Sequence, residues 1–303
     1  MENAPSRAIF LAGPTAAGKS AVAEGLCERL GGEIISVDSM QVYQGLEIGT
    51  AKPSLADRQR VRHHLIDVVT LEQSFDAAQF VRLAGLAAQD IQARGRRPIF
   101  CGGTGLYFKA YLEGLGTAPP SDANIRAELE ATPLAQLLEE LERRDAVAFQ
   151  AMDRRNPRRV IRALEVIRLT GQPLSAQRAQ WSGAGQSSTS MIGLTRPMGE
   201  LSHRIHDRVD EMFRQGLVAE TESLLAQGLA DNPTAMQALG YRQVVEHLRG
   251  QRGLAETIEL VKIRTRQFAK RQLTWFRRQM SLEWIALSAT APHPDWAALA
   301  NKL

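Results

Sequence analysis

The 303-residue chain is 44% hydrophobic and 23% charged, the balance of a soluble globular protein with ample core. No apolar run approaches the roughly 18 residues of a membrane helix, and Met1-Glu2-Asn3-Ala4-Pro5-Ser6 lacks a charged-then-apolar leader, so a cytoplasmic, membrane-free protein is expected. The net charge of +4 and pI near 9.3 hide an asymmetry: Arg154, Arg155, Arg158, Arg159 and Arg162 stand together without an acid, as do Lys262, Arg264, Arg266, Lys270, Arg271, Arg277 and Arg278. Two such tracts point to a polyanion larger than a nucleotide.

In chain order, Arg7–Ala12 is a short buried strand running into Gly13-Pro14-Thr15-Ala16-Ala17-Gly18-Lys19-Ser20, which matches G-x-x-x-x-G-K-[ST] at every required position. Ser20–Leu30 has the helical spacing of Ala21, Val22, Leu26 and Leu30. Strands are expected at Glu33–Val37, His64–Val69 and Pro98–Cys101, with an amphipathic helix over Phe75–Ala93. Composition changes at Gly116-Thr117-Ala118-Pro119-Pro120-Ser121, after which helices are expected at Ile125–Glu130, Leu134–Leu141, Ala146–Ala151 and Pro157–Leu169. A flexible loop over residues 182–188 precedes a returning strand at Met191–Leu194. The rest is helical until a last strand at Leu282–Leu287. Alternating strands and helices predict a parallel α/β core with helices on both faces, made of residues 1–116 and 191–303, interrupted by a helical insertion over 117–190.

The loop chemistry is anion capture: backbone N–H groups and a helix N-terminus face a phosphate, Lys19 adds charge, and Ser20 is placed for a phosphate-bound Mg²⁺. Ligands of such sheets bind beyond the strands' carboxyl ends, where Asp38 and Gly102-Gly103-Thr104-Gly105 also lie. Position alone leaves Asp38 open as a general base, a Mg²⁺ ligand or a turn cap. Arg204 and Arg208, with Asp207 and Asp210 at helical spacing, read as a solvated ion-paired face. Trp275 and Phe276, between cations, either stack on bases or pack in the core. Cys27 and Cys101 lack metal-ligand spacing and read as reduced core thiols, and His63 and His64 as structural.

Together GPTAAGKS (13–20), SVDSMQVYQGLEIGTAKP (36–53), GGTGLYFKA (102–110), NPRRVIRALEV (156–166), ALGYRQ (238–243) and TRQFAKRQLTWFR (265–277) resemble the tRNA dimethylallyltransferase family, in its order and over nearly the whole chain. No zinc-finger extension of the eukaryotic kind is present in the sequence, so the resemblance is to the bacterial type. It implies a loop holding the diphosphate of dimethylallyl diphosphate, with Mg²⁺, and transfer of the prenyl group to N6 of adenosine 37 in the tRNA anticodon stem-loop. It implies Asp38 as base, with Lys19, Thr104 and Arg208 at the diphosphate. Asp38, Ser39, Met40 and Gln41 would read the flipped adenine, and Thr104 would also contact the tRNA. Arg126, Arg158, Arg159, Val160, Ile161, Arg162, Gln237, Gly240, Tyr241, Arg242, Lys270, Arg271, Gln272, Trp275 and Arg277 would hold the anticodon arm. The rival readings are a small-molecule or nucleoside kinase, a prenyltransferase of free AMP, and a nucleic-acid-binding NTPase switch. The first leaves both basic tracts unexplained, the second needs no anticodon-gripping insertion, and the third lacks a carboxylate at the end of the Pro98 strand. A monomer is expected.

Overall fold

A computed structural model describes residues 8–177, 190–296 and 299. In the first part, β1 (Ile9–Ala12), α1 (Lys19–Leu30), β2 (Gly32–Val37), α2 (Leu55–Arg60), β3 (His63–His64), α3 (Ala77–Ala93), β4 (Arg97–Gly102) and α4 (Gly105–Glu113) follow in order. Then come α5 (Ala123–Ala131), α6 (Leu134–Arg144), α7 (Ala146–Ala151), α8 (Pro157–Thr170) and α9 (Leu174–Gln177). The chain returns through β5 (Ser190–Thr195), α10 (Met198–Arg214), α11 (Leu217–Ala226), α12 (Tyr241–Leu248), α13 (Leu254–Gln279) and β6 (Glu283–Ala286). The expected loop at 182–188 lies outside the described residues.

The six strands form one parallel sheet in the order β3-β2-β4-β1-β5-β6, flanked by helices in a P-loop-like α/β fold. Strands buried on both sides read as continuous apolar runs, and here alternate residues serve opposite faces. Ile9, Leu11, Ile34, Ile99 and Ile192 pack with Val22, Ala23, Leu26 and Cys27 of α1. On the other face Phe10 stacks on Phe100 at 4.5 Å, and Phe108 and Tyr111 of α4 close over them. β1, which feeds the phosphate loop, is thereby central and inaccessible to water.

The described residues fall into two compact units, one holding the chain up to Tyr111 and from Ser190 onward, the other beginning at Leu112. The second unit has its own core of Leu129, Leu137, Leu141, Val160, Leu164 and Ile167 from α5, α6 and α8. Its buried Asp145 caps α7 through the Ala148 N–H at 3.0 Å and accepts from the N–H and hydroxyl of Ser175, both at 2.8 Å. No helix among the described residues is long and apolar enough to cross a membrane.

The expected strand over His64–Val69 is corrected to two residues. Leu65 and Asp67 turn to φ 62° and 56°, ending the strand, and only a single bridge from Tyr43 to Val69 resumes the pairing. The turn delivers the Asp67 carboxylate to the buried Lys52 ammonium and, at 2.7 Å, to Arg58, satisfying a charge that burial would otherwise penalise.

A second buried charge sits on β2. Glu33 is 2% exposed and accepts from Arg94 and, at 2.7 Å, from His64. The Arg94 hydrogen bonds, against the cost of burial, hold its carboxyl down to about 2. A depressed carboxylate stabilises the fold above its ordinary range and loses that contribution as pH falls toward 2. Glu33→Gln should therefore lower Tm at pH 7 and narrow the gap to the parent as pH falls from 5 to 3, measured by thermal melts across that range.

Candidate diphosphate and RNA site

The loop after β1 is built by its carbonyls as much as by its amides. Gly13 has φ 150°, and a Cβ there would stand 2.5 Å from the Leu194 carbonyl on β5, so the approach of the two strands requires glycine. Ala16 is a non-glycine at φ 63°, a left-handed backbone held by its methyl packing on the α10–α13 cluster of Leu201, Ile205, Val209, Val261 and Ala269. Arg204 Nε donates to the Ala16 carbonyl at 2.9 Å and buried Arg196 Nε to the Ala17 carbonyl at 3.0 Å. Lys19 Nζ donates to the Pro14 carbonyl at 2.8 Å. Among the described residues the N–H groups of Ala16, Gly18, Lys19 and Ser20 have no protein acceptor. Four amides, a helix N-terminus and a lysine make an anion cradle.

The electrostatics agree. Burial pushes the Lys19 ammonium down to about 8; Arg208 pushes it the same way, while Cys101 and Asp38 oppose. Arg208 is likewise held below its ordinary value by burial, which Asp38 offsets. Arg204 and Arg208, which by spacing alone read as a solvated ion-paired face, do not form one. Arg204 braces the loop; Arg208 takes no ion pair among the described residues, while Asp207 and Asp210 pair with His203 and Lys262. Arg208 also lines a cavity of about 690 Å³ with Ile48, Ala51, Leu55 and Met212. Two cations short of counter-charge, with unpaired amides in the same loop as Lys19, are features suited to a multiply charged anion.

Asp38 follows β2. Its Oδ1 accepts the N–H of Met40 at 2.8 Å and of Gln41 at 3.2 Å, so it caps the turn through one oxygen. Thr104, after β4, accepts the Ser39 N–H at 3.2 Å through its hydroxyl, and its own N–H donates to the Val37 carbonyl at 3.2 Å. Gln41 Nε2 donates to the Thr50 and Ala51 carbonyls, each at 3.3 Å, and its Oε1 accepts from the Ser36 hydroxyl. The two strand ends are thus knitted into one rim with the cradle.

The expected RNA contacts separate into presented and withdrawn groups. Lys270, Arg271 and Arg277 are exposed on α13, and Lys270, Arg271, Thr274, Trp275 and Arg278 line an open groove of about 520 Å³. Trp275 is half-exposed in that groove, whereas Phe276 is core. Arg158 and Arg159 are exposed at the start of α8, and Gln237 and Arg242 are exposed, the latter paired to Glu246 at 3.3 Å. Withdrawn are Val160 and Ile161, which belong to the core of the second unit because they fall on the inner stripe of α8. Arg162 donates to buried Glu165 at 2.7 Å and to the Pro119 carbonyl at 2.5 Å; Arg126 donates to Ser121 at 2.9 Å and pairs with Glu130. Tyr241 is buried, its hydroxyl donating to Glu220 at 2.5 Å and accepting from Gly49 N–H at 3.1 Å; Gly240 is buried with it. Gln272 is turned inward.

The sequence pattern of the IPP transferase family matches residues 41–279. The chain belongs to this family. A tRNA dimethylallyltransferase of Geobacter metallireducens is 45% identical over 289 residues, covering 94% of each chain. One from Pelotomaculum thermopropionicum is 38% identical over all of this chain and 96% of its own. The crystal structure of a tRNA isopentenylpyrophosphate transferase from Bacillus halodurans superposes with a TM-score of 0.71 at 38% identity, covering 98% of this chain and 96% of that one. A eukaryotic dimethylallyltransferase acting on tRNA gives 0.76 at 26% identity, covering 98% and 76%. The bracing residues Arg196 and Arg204 were not legible as site residues in the sequence. Arg196 follows a strand that ends at the rim, which was the one available signal.

Lys19 supplies a test of the cradle. With its pKa near 8, it is charged below that pH, and a bound diphosphate would raise the value. Diphosphate affinity should fall as pH rises through 8, and binding near pH 8.5 should take up protons. Calorimetry in buffers of different ionisation enthalpy reads both, and Lys19→Met should abolish the uptake.

Proposed function

We propose that this chain transfers the dimethylallyl group of dimethylallyl diphosphate to N6 of adenosine 37 in tRNAs reading codons that begin with U, releasing diphosphate. The observation that carries this reading is the anion cradle of Lys19, Arg208 and four free amides set against the Asp38 rim, in a chain of the IPP transferase family. In the reaction N6 attacks C1 of the donor, the C1–O bond breaks with its electron pair leaving on the diphosphate, and the N6 proton passes to Asp38. Lys19, Arg208 and the loop amides stabilise the charge that grows on the leaving group. Asp38 has one oxygen fixed in the turn, which aims the other and makes cap and base compatible roles.

A Mg²⁺ ion suits the donor set. Ser20 is exposed at the start of α1, and no group of three acidic, His or Cys side chains among the described residues could hold an ion alone, so phosphate oxygens and water would complete its shell. Bound there, it would neutralise diphosphate charge. The cavity beside Arg208 is lined by Ile48, Ala51, Leu55 and Met212 together with Glu47, Asp67 and Glu211, and its apolar part is the proposed place for the prenyl tail. Lys270, Arg271, Trp275 and Arg277 on α13, and Arg158 and Arg159 on α8, are the proposed anticodon-arm contacts, in a chain acting as a monomer in the cytoplasm.

The deciding experiment supplies unmodified tRNA, Mg²⁺ and radiolabelled dimethylallyl diphosphate, beside labelled ATP. Label in tRNA that disappears when adenosine 37 is replaced supports the reading; phosphate passing from ATP to a small acceptor would replace it with the kinase reading. Asp38→Asn, which keeps the cap acceptor, should slow single-turnover transfer by about 10²-fold or more with tRNA affinity intact; equal loss of both would make Asp38 structural. Arg158→Ala with Arg159→Ala should weaken tRNA binding and lower its dependence on log salt by about one to two. Arg162→Ala should instead lower Tm, because it removes the one cation paired to the buried Glu165 carboxylate among the described residues and leaves that charge to the Ser121 hydroxyl and Asp122 N–H.

A further inference from the structure

Gln272 lies in the basic tract of α13, yet it is only 8% exposed. Its Oε1 accepts the N–H of Thr15 in the phosphate loop at 2.8 Å, and its Nε2 donates to the carbonyl of Gly103, after β4, at 3.0 Å. One amide therefore joins the loops that follow two neighbouring strands to a helix from the far end of the sequence. The approach is close: a Cβ on Gly103 would stand 2.3 Å from the Gln272 amide nitrogen. One turn on, Trp275 lies over Gly105, where a Cβ would meet its ring at 2.1 Å. Thr104, between these two glycines, holds Ser39 beside Asp38. The helix itself is fixed to α10 through Val261 and Ala269 against Leu201, Ile205 and Val209.

We propose that Gln272 is a positioning residue for the diphosphate cradle, not an RNA contact: it sets the Thr15 end of the phosphate loop against the Gly103–Thr104 turn, so that the leaving group and the Asp38 rim keep one geometry. The requirement is chemical. A primary amide offers an acceptor and a donor at fixed spacing, which matches one N–H and one carbonyl. A carboxylate offers no donor, and a thioether offers neither. A protonated carboxyl, however, presents the same pair as the amide.

The test uses the full chain with inorganic diphosphate and Mg²⁺ as the binding probe, and transfer from dimethylallyl diphosphate to tRNA as the kinetic one. Only the kinetic probe rests on the function proposed above. Gln272→Met, of similar volume, should weaken diphosphate binding on the order of tenfold by unpairing the part-buried Thr15 N–H and Gly103 carbonyl, and raise the donor KM or lower kcat, with tRNA affinity unchanged. Gln272→Glu should be as impaired at pH 8 and recover toward the parent as pH falls to 6, each pH compared with the parent at that pH. A Gln272→Met protein that binds diphosphate normally, or one that loses tRNA affinity instead, overturns the proposal. So does a Gln272→Glu protein whose deficit is constant with pH. A parent chain that binds diphosphate but labels no tRNA would sink the transfer reading while leaving the Gln272 comparison intact; one that binds no diphosphate would sink both.

Discussion

An anion-binding loop works only if its amides remain unpaired, and unpaired amides in a folded chain are costly. Around Gly13–Ser20, side chains commit other polar groups of the loop backbone and leave those amides open. Arg204 takes the Ala16 carbonyl, Arg196 the Ala17 carbonyl, and Lys19 the Pro14 carbonyl, while Gln272 takes the Thr15 N–H. With these groups committed, the loop's shape is held by side chains from α1, α10, α13 and the residue after β5. The left-handed Ala16 is the visible strain in this arrangement, and its packing on α10 and α13 is what maintains it.

The same braces tie helices distant in sequence to the loop after β1. α10 supplies Arg204 and Arg208, α13 supplies Gln272 and Trp275, and the two pack on each other through a small apolar cluster. On α13 Gln272 is turned to the cradle, Lys270, Arg271 and Arg277 are exposed, and Trp275 lies over Gly105 while staying half-exposed in the groove with Lys270 and Arg271. The second unit has separate means. α8 buries Val160 and Ile161, ties Arg162 to Glu165, and leaves Arg158 and Arg159 at its N-terminal turn.

Burying Lys19 and Arg208 without full counter-charge destabilises the ligand-free protein, as their lowered pKa values record. Asp38 offsets part of that cost from the rim. The proposed diphosphate would offset the remainder. The ion pairs of Lys52 with Asp67 and Glu33 with Arg94 are complete within the protein and serve the fold instead.

The sequence alone determined the α/β order, the place of the Gly13–Ser20 loop between β1 and α1, Asp38 at a strand end and the helical character of residues 123–177, because each is a local pattern: a glycine spacing, a continuous apolar run, a helical period. Its family motifs also located the cationic helices. It could not determine which members of those motifs face outward. Val160, Ile161, Tyr241 and Gln272 stand in basic or polar stretches, yet the structure turns them inward, since helix phase against a core is set by packing partners far away in the chain. Nor could it show that Arg204 and Arg208 leave Asp207 and Asp210 to other partners, or that His64–Val69 breaks after two strand residues to bring Asp67 to Lys52. Those choices depend on which buried charge finds which neighbour, and that is settled only when the sheet brings distant residues together.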